Sequence, residues 1–350
     1  MRMTKYLFLT LSICLLTHQG FSQTDSAKKM NTIGVSGSVD LYFRNAFNTA
    51  KDATNNFTSF TNSNQQIQLG MASAKIDFTR DRFFATVDLG YGKRAEEFSY
   101  NDKGILAKIK QAYIAYNVTK RLKLSIGKWG THIGYELLDA PLNRNYSMSY
   151  GFSYGPFFHT GLKADIAINS RSGLMLGIAN PTDNINGNSP YRVLIGQFNQ
   201  KLFNDHTVIY INYQGGKNGI ESNFAQWDLV LTNTVSEKLA LNYDGTVFMT
   251  KVAGKKSIWK SNAFYVNFDP SNKIGLTYRS EFFYDKNALS AGAFATNIFA
   301  NTLSLNYKIN KFTLTPEFRI ETAKNPIYSN KEGSGVNKSA SILVAAIYRF

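Results

Sequence analysis

Ser341-Ile-Leu-Val-Ala-Ala-Ile-Tyr-Arg-Phe350 closes the chain and decides how the rest of it is read. Ile342, Val344, Ala346, Tyr348 and Phe350 share one face, and Arg349 points to the other. A repeat of two with an apolar face predicts a β-strand, here ending on an aromatic residue. The period recurs upstream. In the segment 312–321, Phe312, Leu314, Pro316, Phe318 and Ile320 alternate with Thr313, Thr315, Glu317, Arg319 and Glu321. In the segment 274–285, Ile274, Leu276, Tyr278, Phe282 and Tyr284 alternate with Gly275, Thr277, Arg279, Glu281 and Asp285.

The opposite end reads as an export signal. Residues 1–22 carry Arg2 and Lys5, an apolar stretch from Tyr6 to Leu16, and small residues before Gln23. Residues 23–32 form an N-terminal segment, and 33–350 the folded domain. Beyond the signal there is no apolar run of about eighteen residues, which excludes a helical membrane protein, so any membrane crossing uses strands. The sole cysteine, Cys14, lies within the signal and leaves the exported chain without a thiol for disulfide, metal or nucleophile chemistry. Its neighbour Ile13 is too bulky for a lipoprotein cleavage site.

The formal charge is +15, and removal of Arg2 and Lys5 leaves +13. The basic residues are scattered among strands and loops. No stripe marks a nucleic-acid partner. Contact with outer-membrane lipid headgroups, or a weak anion preference in a pore, fits the scatter better. Tyr and Phe, 20 and 26 in number, suit the aromatic girdles of a transmembrane barrel.

Connection lengths separate a barrel from a soluble sandwich. Polar turns fall at 79–82, 118–120, 169–172, 203–205, 236–237, 269–272 and 310–311. Between them lie longer connections at 46–64, 93–104, 131–157, 181–189, 218–222, 252–256, 287–296 and 324–337. Seven short turns alternating with eight mostly longer loops give sixteen strands with both termini on the short-turn side. This predicts an all-β, transmembrane, antiparallel up-and-down β-barrel. Fourteen or eighteen strands are the alternatives, because two segments do not phase cleanly. In 105–118, Lys108 and Lys110 share the phase of Ile114, Tyr116 and Val118. Either they sit at headgroup level or a bulge shifts the register.

With the apolar faces toward lipid, the other faces become a lumen lining. They supply Arg44, Arg82, Asp88, Lys123, Lys163, Asp165, Asp244, Arg279, Glu281, Glu317 and Arg319, together with Asp40, Tyr42, Asp228 and Glu321. So many charges predict water inside, because an unpaired buried ion is costly. A sixteen-strand barrel is wide enough for an aqueous channel. The longest loop, 131–157, carries Glu136, Asp139 and Arg144 among aromatic residues. Its acidic groups, set against a basic wall, would create a transverse field and a pore constriction.

Four blocks carry a family resemblance: Leu124-Ser-Ile-Gly-Lys-Trp-Gly130, Ile133-Gly-Tyr-Glu136, Asn143-Arg-Asn-Tyr-Ser147 and Pro156-Phe-Phe-His-Thr-Gly161. With Gly37-Ser-Val-Asp-Leu-Tyr42 opening the first strand, they resemble the outer-membrane β-barrel porins of the OmpL-like type found in Gram-negative envelopes. The resemblance spans the exported chain. It implies an outer-membrane location and passive diffusion of small hydrophilic solutes, with no catalytic residue, metal or cofactor. Tyr348 and Phe350 resemble the signal read by the barrel-assembly machinery, and by analogy such barrels form homotrimers. A non-conducting adhesin, receptor or structural barrel is the other reading. An enzyme is disfavoured, because His132, His159 and His206 read as isolated and lie in no nucleophile motif.

Overall fold

The computed structural model describes residues 31–185, 189–289 and 296–350. The signal at 1–22 and almost all of the segment 23–32 lie outside the described residues. Sixteen strands close into one barrel. They are β1 (Thr32–Ala46), β2 (Gln66–Arg80), β3 (Phe83–Tyr91), β4 (Ile109–Asn117), β5 (Leu122–Gly130), β6 (Phe158–Ala167), β7 (Ser172–Ala179) and β8 (Val193–Leu202). The second half comprises β9 (Thr207–Gly219), β10 (Ser222–Thr234), β11 (Leu239–Val252), β12 (Lys255–Ser271), β13 (Ile274–Asp285), β14 (Thr296–Ile309), β15 (Phe312–Ala323) and β18 (Lys338–Arg349). Two short strands, β16 (Tyr328–Ser329) and β17 (Gly335–Val336), pair in the loop before β18.

Each barrel strand pairs antiparallel with its chain neighbour, and β18 pairs β1 to close the sheet. Gly37 and Phe350 exchange backbone hydrogen bonds of 3.2 and 3.0 Å at that seam. A Cβ on Gly37 would lie 2.5 Å from the Phe350 ring. Glycine is needed there for close approach. Along β18, Ile342, Val344, Tyr348 and Phe350 are exposed on the outside while Leu343, Ala345 and Ile347 are buried inside. The outside is the lipid face.

All seven expected short turns are present. Asp81 and Asn310, at two of them, adopt left-handed φ values of 51° and 54°, which suit short polar residues. The outer side departs from expectation at two places. The connections expected at 218–222 and 252–256 are tight hairpins: β9 runs to Gly219 and β10 begins at Ser222, while β11 and β12 turn on Ala253 and Gly254. Both turn residues have positive φ, 46° and 81°, as a two-residue hairpin with the sheet's twist requires. The wall is uneven as a result. Strands β3 to β8 have 8–10 residues, whereas β9 to β15 have 12–17.

The misphased segment before β4 is explained by a bulge. The β3–β4 register shifts between Asp88 and Leu89, which turns Lys110 inward, where it is buried against Asp88. Lys108 lies in the short helical turn Gly104–Lys108, outside the strand.

Candidate functional site

The segment 131–157 leaves the rim and returns at one point. Gly130 pairs with Phe158, and the Thr131 amide donates to the Phe157 carbonyl at 2.9 Å. Between these ends the chain descends into the barrel, through the helical turn Ala140–Leu142 and the short helix α2 (Tyr150–Tyr154). Ser149 caps α2 by accepting from the Phe152 amide.

Each of the three charges expected on this loop meets an opposite charge on the wall. Glu136 accepts from Arg279 at 2.6 Å and from Tyr265. Asp139 accepts from Lys110, which also reaches Asp88 at 3.0 Å. Arg144 donates to both Asp269 oxygens at 2.9 and 2.8 Å and to Thr277 at 2.7 Å. The two-pronged Arg144–Asp269 contact fixes orientation as well as charge.

The wall also holds the loop by its backbone. Gly134 donates its amide to Asp228 and Tyr135 to Asp244; Tyr146 and Ser147 donate theirs to Glu317, and Tyr150 to Glu281. These carboxylates stand on β10, β11, β13 and β15. A loop has no ladder partners for its amides, and charged acceptors on a rigid sheet supply the strong bonds that replace them. Arg279 returns the contact, donating to the Ser147 and Met148 carbonyls. Arg319 joins Glu281 and Glu321, each at 2.8 Å.

The expected transverse field is therefore replaced by local pairing. The wall is both acidic and basic, and the loop carries both signs against it. The lumen lining is also drier than its charge content suggests. Asp228, Asp244, Thr277, Arg279, Glu281, Glu317 and Arg319 each keep at most 4% of their surface exposed. Loop side chains and amides take the place of water around them, which satisfies the desolvation requirement by pairing. Arg44 is buried too. It donates to the Thr54 carbonyl at 2.7 Å and the Asn55 carbonyl at 3.4 Å in the first outer loop, beside a small cavity shared with Asn56, Thr61, Ser147, Glu317, Arg319, Ser341 and Leu343.

Toward the opposite end, Lys123, Lys163 and Asp165 form one ion cluster, with Lys123 and Lys163 at 3.7 and 3.4 Å from Asp165. Arg82 is not on the lumen wall. It is exposed in the turn between β2 and β3 and donates to the Val118 carbonyl, because phase counted through a turn does not carry a side chain back inside.

Three groups escaped sequence reasoning. Arg94, in the helix α1 (Lys93–Phe98) of the second outer loop, is fully buried. It donates to the Leu138 and Tyr146 carbonyls and stacks on Tyr146 and Phe60 at 4.8 and 5.0 Å. Tyr146 in turn donates its hydroxyl to Asp40. His132 and His159 are neighbours, with ring centroids 5.0 Å apart; the signal was Trp129 opposite His159 across the β5–β6 pair. Burial pushes the His132 imidazole down to about 4, so near neutrality it is an uncharged anchor bonded to the Tyr213 carbonyl at 3.1 Å. Asp183, in the fourth outer loop, accepts from the Phe157 and Phe158 amides at 2.7 and 2.9 Å and from Tyr100. Burial raises its carboxyl to about 7. Among the described residues there is no cluster of three or more metal-ligating side chains.

An apolar outside, a polar inside, sixteen strands and an inward-folded third outer loop together define the porin class of outer-membrane barrels. The chain belongs to the family described as "Putative beta-barrel porin-2, OmpL-like", which matches residues 32–350. Its fold is similar to that of OmpT from Vibrio cholerae in a trimer form, at TM-score 0.62 and 13% identity, covering 91% of this chain and 99% of that one. It is also similar to the outer membrane channel DcaP of Acinetobacter baumannii, at TM-score 0.63 and 10% identity over 91% and 97% of the two chains. An anion-selective porin from Comamonas acidovorans gives TM-score 0.62 and 10% identity over 92% and 100%. No curated protein matches the chain.

Proposed function

We propose that this barrel passes small hydrophilic solutes and ions by diffusion, and that the segment 131–157 sets the width of the path. The carrying observation is that the polar contacts between that segment and the wall are mainly ion pairs and carboxylate–amide bonds, set beside apolar packing of Tyr150 on Trp259 and Phe283 and of Ala140 and Tyr146 on Leu343, Ala345 and Ile347. Water can replace the polar contacts group by group, while the apolar patches keep the segment seated against the wall. Glu136, Asp139 and Arg144 are the constriction residues in this reading, facing Arg279, Lys110 and Asp269. The reading includes export by a cleaved signal at 1–22, recognition of Tyr348 and Phe350 during assembly, and no catalytic activity.

The net positive charge supports a weak preference for anions. Exchange of Glu136 and Asp139 for Gln and Asn removes two fixed negative charges and should strengthen it. The reversal potential in a salt gradient measures the shift. Extending the trimer form of the Vibrio cholerae relative to this chain, we place the subunit contact on β3 to β8. Eight tilted residues rise only about 20 Å, less than the apolar band of about 25 Å, and neighbouring subunits would cover the shortfall.

The deep burial of the wall charges favours a second reading, a closed barrel acting as an adhesin or structural protein. Planar-bilayer recording of the purified, heat-modifiable barrel separates the two. Discrete conductance steps are expected; silence at all voltages would favour the closed barrel.

A further inference from the structure

The inside of the wall carries charges of both signs, whereas among the described residues its outward phase carries no carboxylate. Every carboxylate carried by the described strands falls on the inward phase. Lysines on the outward phase gather at the outer rim of the tall hairpins. Lys217 on β9 pairs with Asn223 on β10, Asn223 pairs with Lys251 on β11, and Lys251 pairs directly with Lys256 on β12. These residues form one cross-strand row about 14 Å long, at three interstrand spacings of about 4.8 Å.

Lys260 lies four residues nearer the membrane on β12, opposite Val247 and Tyr284. Trp227 is in the same row, half-exposed and packed against Tyr213 with ring centroids 4.6 Å apart, as in an interfacial aromatic girdle. Four tilted residues put the lysine row about 10 Å beyond that girdle. Between the two levels, Met249 faces Ile258, and both are apolar.

Two lysines directly opposite one another on an antiparallel pair repel and destabilise it. Lys217, Lys251, Lys256 and Lys260 are all exposed, and among the described residues no carboxylate forms a salt bridge with any of them. The cost disappears if an anion sits between the ammonium groups. At this height on the outward face, the anions in reach are the phosphates of outer-leaflet lipid. We propose that the outward face formed by Lys217, Lys251, Lys256 and Lys260 binds a phosphate-bearing glycolipid of the outer leaflet, seating its acyl chains on the apolar strand surface below.

The test titrates the purified folded barrel in neutral detergent with a bisphosphorylated lipid A and with its dephosphorylated counterpart, reading bound lipid by native mass spectrometry. The wild-type barrel should retain the phosphorylated lipid at least tenfold more tightly. The K251Q/K256Q/K260Q variant, shown to be folded by heat-modifiable migration, should lose that preference, and K251R/K256R/K260R should keep it. K256Q alone should weaken binding about threefold and stands in if the triple Gln variant does not fold. Unchanged binding in the Gln variants would overturn the proposal. So would an equal loss in K324Q/K331Q/K338Q, which would make the effect one of diffuse charge. Displacement of the lipid by millimolar inorganic phosphate would also overturn it, marking a site for free anions.

Discussion

The loop 131–157 rests on two unlike walls. On β10 to β15 it meets Asp228, Asp244, Asp269, Arg279, Glu281 and Glu317, and its amides and charged side chains end on ions, while Tyr150 packs on Trp259 and Phe283. Around β8 and β9 the wall carries an apolar cluster of Trp129, Met175, Ala179, Val193, Ile195 and Phe224. The loop's polar contacts with β8 and β9 are neutral, from His132 to the Tyr213 carbonyl and from Gln197 to the His132 carbonyl, the ion pair away from β10 to β15 being Asp139 with Lys110 on β4. Removing one partner of a buried ion pair strands the other charge, whereas a neutral contact loses only its own bond. The ionic wall should therefore set both the stability and the opening of the loop.

The largest effect expected is from Arg279→Gln, which leaves Glu136 and Glu281 without their shared cation. It should cost about 3–5 kcal/mol, read as a lower temperature for loss of heat-modifiable migration. The E136Q/R279Q pair should recover part of that loss, because no charge is stranded on the loop side. If the single and double variants unfold together, the pair does not hold the loop.

Asp183 brings pH into the comparison. Its folded carboxyl titrates at about 7, above the ordinary value of 3.8, because burial disfavours the ion. Its contribution is fully present below about pH 4, where both states hold the proton. Stability then falls as pH rises from about 4 to about 7, since the unfolded chain ionises first, and levels off above that. Asp183→Asn keeps an oxygen acceptor for the Phe157 and Phe158 amides. It should flatten the slope between pH 4 and 7, and an unchanged slope would assign it to other groups.

On the neutral wall the effects shrink. Gln197→Ala removes a bond to the His132 carbonyl and should cost about 1 kcal/mol, with little change in conductance. A loss as large as that of Arg279→Gln would erase the difference between the walls. Arg82→Gln, at an exposed turn, should change stability by less than about 0.5 kcal/mol and leave conductance as it was.

The strands were legible in the sequence wherever one face meets lipid and the other meets polar groups, as in 312–321. Where both faces leave the membrane, alternation is no longer enforced. The tops of β9 to β12, with Asn218, Ser222, Val252, Lys255 and Lys256, therefore read as loops although they are paired strands. The register of β4 was ambiguous because a one-residue bulge opposite Asp88 moves Lys110 across the wall. Within the site, the loop charges were legible as charges, but their partners were not. Glu136 to Arg279 and Arg144 to Asp269 span 143 and 125 residues, and only closure of the barrel sets that geometry. His132 and His159 read as isolated because their proximity depends on the β5–β6 register.

The central claim is that the position of the loop 131–157 against the ionic wall sets the channel. Asn145 on the loop donates to Ser304 on β14 at 2.7 Å, and the only cysteine of the sequence, Cys14, lies in the expected signal. A disulfide between N145C and S304C would therefore pin the loop to the wall without competing thiols. Planar-bilayer conductance of that variant, oxidised and then reduced, is the most direct measurement. The account predicts conductance at least fivefold lower in the oxidised form and restored by reductant. Equal conductance with the disulfide formed and broken would contradict it.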